Sequence, residues 1–142
     1  MTDGPDEQHL RPEGMDDATV DALGKLSEAL EVVEHARGLL YGFHRLTGTA
    51  DFTLGDAVVA LRDAGHTELA DRIERELLGR NVINGRWTFQ IVEDFDDGYY
   101  ATFRRLEGEA RDTLAGGRRH IFESELKEQR RTGGEPGHEA RP

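Results

Sequence analysis

The sequence predicts a mainly α-helical protein, a small bundle of a long N-terminal helix, a helical hairpin and a long C-terminal helix. Apolar residues recur at steps of three and four over most of residues 18–131, which is the helical period. Glycines interrupt these stripes at the places where helices would end. A short aromatic-rich stretch leaves the helical period and predicts an extended segment or a hairpin near residues 80–92.

The long N-terminal helix is predicted over residues 18–46, about 43 Å at 1.5 Å per residue. Gly38 and Gly42 share one face of it and would let another element approach closely. The Thr47-Gly48-Thr49 sequence is predicted to break the helix. The inward stripe consists of Val20, Leu23, Leu26, Leu30, Val33 and Leu40, widened by Val32, Leu39, Phe43 and Leu46.

The helical hairpin follows that break. Apolar spacing predicts one short helix over residues 54–64 and a second over 68–78. Gly65 and Gly79 stand where each helix would end, the position that favours glycine because the backbone there is often left-handed.

The aromatic stretch begins after Asn84-Gly85, a strong signal for a tight hairpin turn. Aromatic and β-branched side chains then alternate, which predicts extended chain over 86–92 or a hairpin with 80–83. A helix is predicted from Asp94 to about residue 115, ended by Gly116-Gly117, and a thinner helix over 118–131.

A helical interpretation of the same stretch is the alternative. Every fourth residue is aromatic or aliphatic from residue 87 to residue 103: Trp87, Ile91, Phe95, Tyr99 and Phe103. Each step of four overshoots a helical turn by about 40°, so the stripe would slide about 160° round a regular α-helix. The extended segment is therefore the prediction.

The chain ends are predicted to be disordered and the middle to form one domain. Residues 1–17 are acidic and residues 132–142 are rich in glycine and proline, and neither segment has enough apolar surface to bury. The folded domain is predicted to be residues 18–131.

Charge and composition exclude several classes of function. A net charge of −11 disfavours nucleic acid and anionic membranes as partners. The absence of cysteine excludes disulfides and thiolate metal sites. The first ten residues do not resemble a signal peptide, and no run approaches about 18 apolar residues. We therefore expect an acidic cytoplasmic protein that has no membrane partner and needs no cofactor.

Two pairs of carboxylates are the strongest enzymatic lead. Glu31 and Glu34 share one helix face, and Glu68 and Asp71 share another. Two such faces packed together could hold Mg²⁺ through oxygen ligands. The pattern resembles the all-α nucleotide pyrophosphohydrolases, the MazG and dimeric dUTPase group, and the resemblance implies Mg²⁺-dependent cleavage of nucleoside triphosphates. Solvated helix faces explain the same acids.

Trp87 suggests a ligand site of a different kind. With Arg80 and Arg86 nearby in sequence, it could line a cleft with an aromatic wall and cationic anchors. The competing interpretation is that the aromatic residues of this stretch close the open side of the bundle.

The segments GRNVINGRWTFQIVEDFDDGYY and GRRHIFESELKEQRR resemble a family of short uncharacterised actinobacterial proteins. That resemblance spans the folded region and implies no known activity. The leading hypothesis is a non-enzymatic helical interaction protein that binds another protein or a second copy of itself, because the first helix carries more apolar surface than a small fold needs. The pyrophosphohydrolase and the ligand binder are the alternatives.

Overall fold

The computed structural model describes residues 3–141 and confirms the predicted fold class. The chain is mainly helical, with 71% of it in helix, and residues 3–141 contain no strand. A 3-10 turn at Glu7–His9 precedes the first helix, and a π-helical segment at Asp96–Tyr100 separates the third helix from the fourth. The helices are α1 (Asp17–Asp63), α2 (Thr67–Glu76), α3 (Thr88–Phe95), α4 (Ala101–Ala115) and α5 (Ile121–Arg130).

Helix α1 runs through the predicted break at residues 47–49, so the prediction of separate helices over 18–46 and 54–64 is wrong. The threonine hydroxyls donate within the helix: Thr47 to the carbonyl of His44 at 3.0 Å, and Thr49 to that of Arg45 at 3.2 Å. Thr53 donates to the Thr49 carbonyl at 3.2 Å. Hydroxyls bonded in this way are compatible with a continuing helix.

The predicted glycine ends are confirmed at two helices. Gly65 follows α1 with a φ of +90°, and Gly116 follows α4 with a φ of +59°. Across Gly65, the His66 N–H donates to the Leu61 carbonyl at 2.8 Å, which satisfies a carbonyl at the helix end. The C-terminal part of α1 and helix α2 therefore form the predicted helical hairpin. The first arm of that hairpin is the end of a much longer helix.

The prediction of extended chain over 86–92 is wrong beyond Trp87, because α3 begins at Thr88. The turn at Asn84-Gly85 is confirmed by an isolated antiparallel bridge between Ile83 and Arg86. The Gln90 side chain accepts from the Trp87 backbone N–H at 3.0 Å, which caps the start of the helix. That bond replaces the predicted cap at Asp94.

The π-helical segment accounts for the four-residue spacing of the aromatic stretch. A π turn holds more residues than an α turn, so it sets back the angular drift that four-residue steps build up in a regular α-helix. Phe95 and Tyr99, four residues apart, keep their ring centroids 5.9 Å apart. The helical alternative is therefore correct from Thr88 onward.

The described chain divides into two compact units, and the single domain over residues 18–131 stays a prediction. The first unit draws on Met1–Val33 and Tyr100–Pro142, and the second is Glu34–Tyr99. Residues 1, 2 and 142, which belong to the predicted disordered ends, lie outside the described residues. The core cluster of the first unit consists of Met15, Val20, Leu23, Ala115 and Ile121.

The N-terminal segment takes part in the first unit. Met15, from the stretch predicted to be disordered, is 8% exposed and belongs to its core. Arg11 bonds Glu125 of α5 at 2.7 Å and Asp17 at 2.7 Å.

The first unit also contains a buried carboxylate with two partners. Glu107 accepts from the Ser27 hydroxyl at 3.1 Å and pairs with Arg111 at 3.3 Å.

The second unit has a small apolar core and depends on polar contacts. Its buried apolar residues are Val58, Ala70 and Val92. Arg37 of α1 makes two bonds to Asp96, at 2.7 Å and 2.8 Å, and they lower the pKa of that carboxyl. Among residues 3–141, no helix is both long enough and apolar enough to cross a membrane.

Candidate functional site

An exposed apolar stripe runs along α1 in the second unit, where Phe52, Trp87 and several aliphatic side chains outside the stripe are exposed as well. Leu39 is 65% exposed, Leu46 68% and Phe43 42%. These residues and three smaller exposed ones are separated by alternating steps of three and four. The six residues, called the α1 seam below, are Ala36, Leu39, Phe43, Leu46, Ala50 and Thr53.

The α1 seam is offset from the most buried position of α1 within its own unit. At 100° per residue the six positions fall within an arc of about 100°. Val58, which is 1% exposed, projects about 90° from the centre of that arc. Thr53 adds a methyl group rather than a free hydroxyl, since its hydroxyl bonds the Thr49 carbonyl. Apolar surface on more than one face is typical of a helix that is buried on several sides.

The segment of α1 that carries most of the α1 seam is low in charge. Residues 38–50 contain no aspartate or glutamate, although the chain has 29 acids among 142 residues. Arg45 and His44 are the basic residues of that segment, and His44 Nδ1 lies 2.7 Å from the Thr88 hydroxyl. The seam is therefore an apolar strip that is free of acids along most of its length, on an acidic chain.

The structure shows how the predicted ligand-site residues are arranged. Trp87 is 56% exposed, and its ring centroid lies 5.2 Å from that of Phe89, which is 42% exposed. The idea that these rings close the bundle is therefore wrong for Trp87. Arg86 pairs with Asp94 at 2.9 Å, and Arg80 is exposed. A ligand site at Arg80, Arg86 and Trp87 stays a prediction.

Three of the four predicted metal ligands lie in the second unit. The Asp71 carboxylate accepts from Arg62 at 2.8 Å, and Glu74 pairs with the same guanidinium, which raises the pKa of that arginine. Glu68 and Glu34 are exposed. The Asp71 oxygen nearest Arg62 is thus committed to an ion pair that a metal ion would have to displace.

The fourth predicted ligand, Glu31, lies in the first unit beside two residues that the sequence did not single out. Glu31, His120 and Glu123 each present a ligand atom within 4.8 Å of the others, and this group does not include the other predicted ligands. Glu123 stands in the first turn of α5, where the helix dipole favours an acid. Nothing in the spacing of Glu31 and His120 indicates that they meet. The Mg²⁺-dependent pyrophosphohydrolase stays a prediction.

The sequence contains a signal for the α1 seam. The prediction that Leu39, Phe43 and Leu46 widen the inward stripe is wrong, and their spacing of four and three continues to Ala36 on one side and Ala50 on the other. A seven-residue repeat is typical of helices that pack against another helix.

Comparison of this chain with protein families, with curated proteins and with solved structures found no match. The resemblance to short actinobacterial proteins therefore stays a prediction. The functional interpretation depends on the geometry and the chemistry of the surface.

Proposed function

We propose that this protein is a non-enzymatic helical interaction module that works through protein contact at the α1 seam. The supporting observation is the exposure of Leu39 and Leu46, each about two thirds open to solvent on one face of one helix. Contiguous apolar surface of this kind is uncommon on monomers and marks sites of protein contact. The net charge of −11 disfavours nucleic acid as the partner, and we expect the contact to form in the cytoplasm.

The residue types of the α1 seam suit contact rather than chemistry. Alanine, leucine, phenylalanine and threonine fill space but offer no general acid, base or metal ligand. The seam is also part of a regular helix, which holds its side chains at fixed spacing along about 26 Å from Ala36 to Thr53. A straight, rigid, apolar strip is complementary to another amphipathic helix.

Photo-crosslinking at Phe43 tests this function. We would replace Phe43 with a photoreactive phenylalanine analogue, irradiate cells that make the protein, and measure the mass of the adducts. The control places the same analogue at Phe52, which is 83% exposed on α1 but projects about 150° from the centre of the α1 seam. The proposal predicts protein adducts at Phe43 that disappear when Leu46→Glu is added. Absence of such adducts at Phe43 would contradict it.

A further inference from the structure

The α1 seam has the register of an antiparallel helix pair. Its residues occupy the two core positions of a seven-residue repeat, with Ala36, Phe43 and Ala50 at one and the remaining three at the other. The order of side-chain sizes reads nearly the same in both directions, with bulky Leu39, Phe43 and Leu46 in the middle and small residues toward both ends. A strip with this property can pack against a reversed copy of itself.

We propose that the α1 seam binds a second copy of this chain, packed antiparallel about a twofold axis that passes between Phe43 and Leu46. This inference rests on the proposed function and names the partner. The register places Phe43 against Leu46 of the second copy and Leu39 against Ala50 of the second copy. Each bulky side chain then lies opposite one of a different size or shape, which spreads the core volume more evenly among the layers.

A parallel arrangement packs less well. It places Phe43 opposite Phe43 of the second copy and Ala50 opposite Ala50 of the second copy, which gives a crowded layer and an under-filled layer. Crowding and cavities in a core both destabilise it. In the antiparallel register no layer contains two phenylalanines or two alanines, because Phe43 meets Leu46, Ala50 meets Leu39 and Ala36 meets Thr53 of the second copy.

The positions beside the α1 seam also fit the antiparallel register. It brings exposed His35 next to Asp56 of the second copy, and Gly42 next to Thr49 of the second copy. An imidazole N–H can donate to a carboxylate in either protonation state. No pair of like charges meets along these flanks, although the chain as a whole is strongly acidic.

Charge favours a second copy over a basic partner. A basic helix would need carboxylates beside the α1 seam, and residues 38–50 contain none. Two acidic chains repel each other over most of their surfaces. The acid-free segment is the place where two copies can approach with the least repulsion, and the proposed axis passes through its middle.

Cysteine crosslinking tests the register directly, because the natural chain contains no cysteine. We would prepare Ala36→Cys and Thr53→Cys as two proteins of different mass, the second carrying a tag, and oxidise them separately and mixed. The proposed register places these two positions opposite each other in the two copies. We expect the mixture to give a disulfide-linked heterodimer and each variant alone to stay largely uncrosslinked. Ala36→Cys mixed with Phe52→Cys is the control that should not crosslink.

Three results would overturn the inference. One is efficient crosslinking of each variant alone, which indicates a parallel pair. Another is an uncrosslinked mixture, provided that circular dichroism shows both variants to be helical; Leu39→Cys with Ala50→Cys repeats the test at the next layer. The third is crosslinking of the Phe52→Cys control. If these tests fail while photoreactive Phe43 yields adducts with a different protein, the proposed function stands and the self-pairing falls; if Phe43 yields no adducts, both fall.

Discussion

Leu46→Glu is the substitution that most strongly challenges the dimer. Leu46 lies beside the proposed twofold axis and is 68% exposed in a single chain. Because the symmetry repeats every contact, one substitution alters the interface twice. The Leu46→Glu substitution would place two carboxylates, one from each chain, close together in apolar surroundings.

The size of the effect follows from the exposed fraction. Complete burial of a leucine side chain contributes about 1.5–3 kcal/mol. Burial of the exposed two thirds of Leu46 therefore contributes about 1–2 kcal/mol, and the two copies contribute about 2–4 kcal/mol. Since each 1.4 kcal/mol changes an equilibrium constant tenfold, the Kd of the dimer should rise about 30- to 700-fold. Desolvation of the new carboxylates adds to this loss.

Sedimentation velocity over a range of concentrations measures this Kd. The matched control is Phe52→Glu, which adds the same charge on the same helix at a residue that is 83% exposed but outside the α1 seam. We expect the control to change the Kd by less than about threefold, which corresponds to about 0.7 kcal/mol. Equal weakening by both variants, or weakening by Phe52→Glu alone, would refute the assignment of the interface.

Two further predictions concern the units themselves. The Arg37 bonds lower the pKa of Asp96, so the stabilisation that they give is present above about pH 4. It is lost as the pH falls through the lowered pKa of the folded state. Asp96→Asn should lower the free energy of unfolding, measured in urea at pH 7, by about 0.5–1 kcal/mol; a loss that persists undiminished at pH 2 would contradict this. Gly24→Ala should lower the melting temperature, because its Cβ would lie 2.9 Å from Cγ of Phe122 and overpacking costs about 1–3 kcal/mol. Gly38→Ala, which meets nothing within 4 Å, should instead stabilise by up to about 1 kcal/mol; thermal unfolding of both variants checks the sign.

The sequence predicted features of the fold that depend on local chemistry. Gly65 and Gly116 were identified as helix ends because a left-handed backbone favours glycine, and both have a positive φ. The turn at Asn84-Gly85 was found for the same reason. Helix α1 was divided wrongly, since a threonine and glycine segment can either end a helix or continue it when the hydroxyls bond within the helix.

The candidate site was harder to predict. The spacing of Leu39, Phe43 and Leu46 shows that they share a face, but periodicity cannot tell whether that face meets the chain's own core or another chain. The division of α1 between two faces depends on which residues pack against it from elsewhere in the second unit. Contacts such as Arg37 with Asp96, which are 59 positions apart, decide that packing and leave no local signal.

The mass of the natural protein in solution tests the central claim most directly. Size-exclusion chromatography with light scattering, run over concentrations from about 1 to 100 μM, compares that mass with the 15.9 kDa of one chain. We predict twice the chain mass at the upper concentrations, with a shift toward a single chain in Leu46→Glu. A mass of one chain at every concentration would contradict the account of the α1 seam as an interface between two copies.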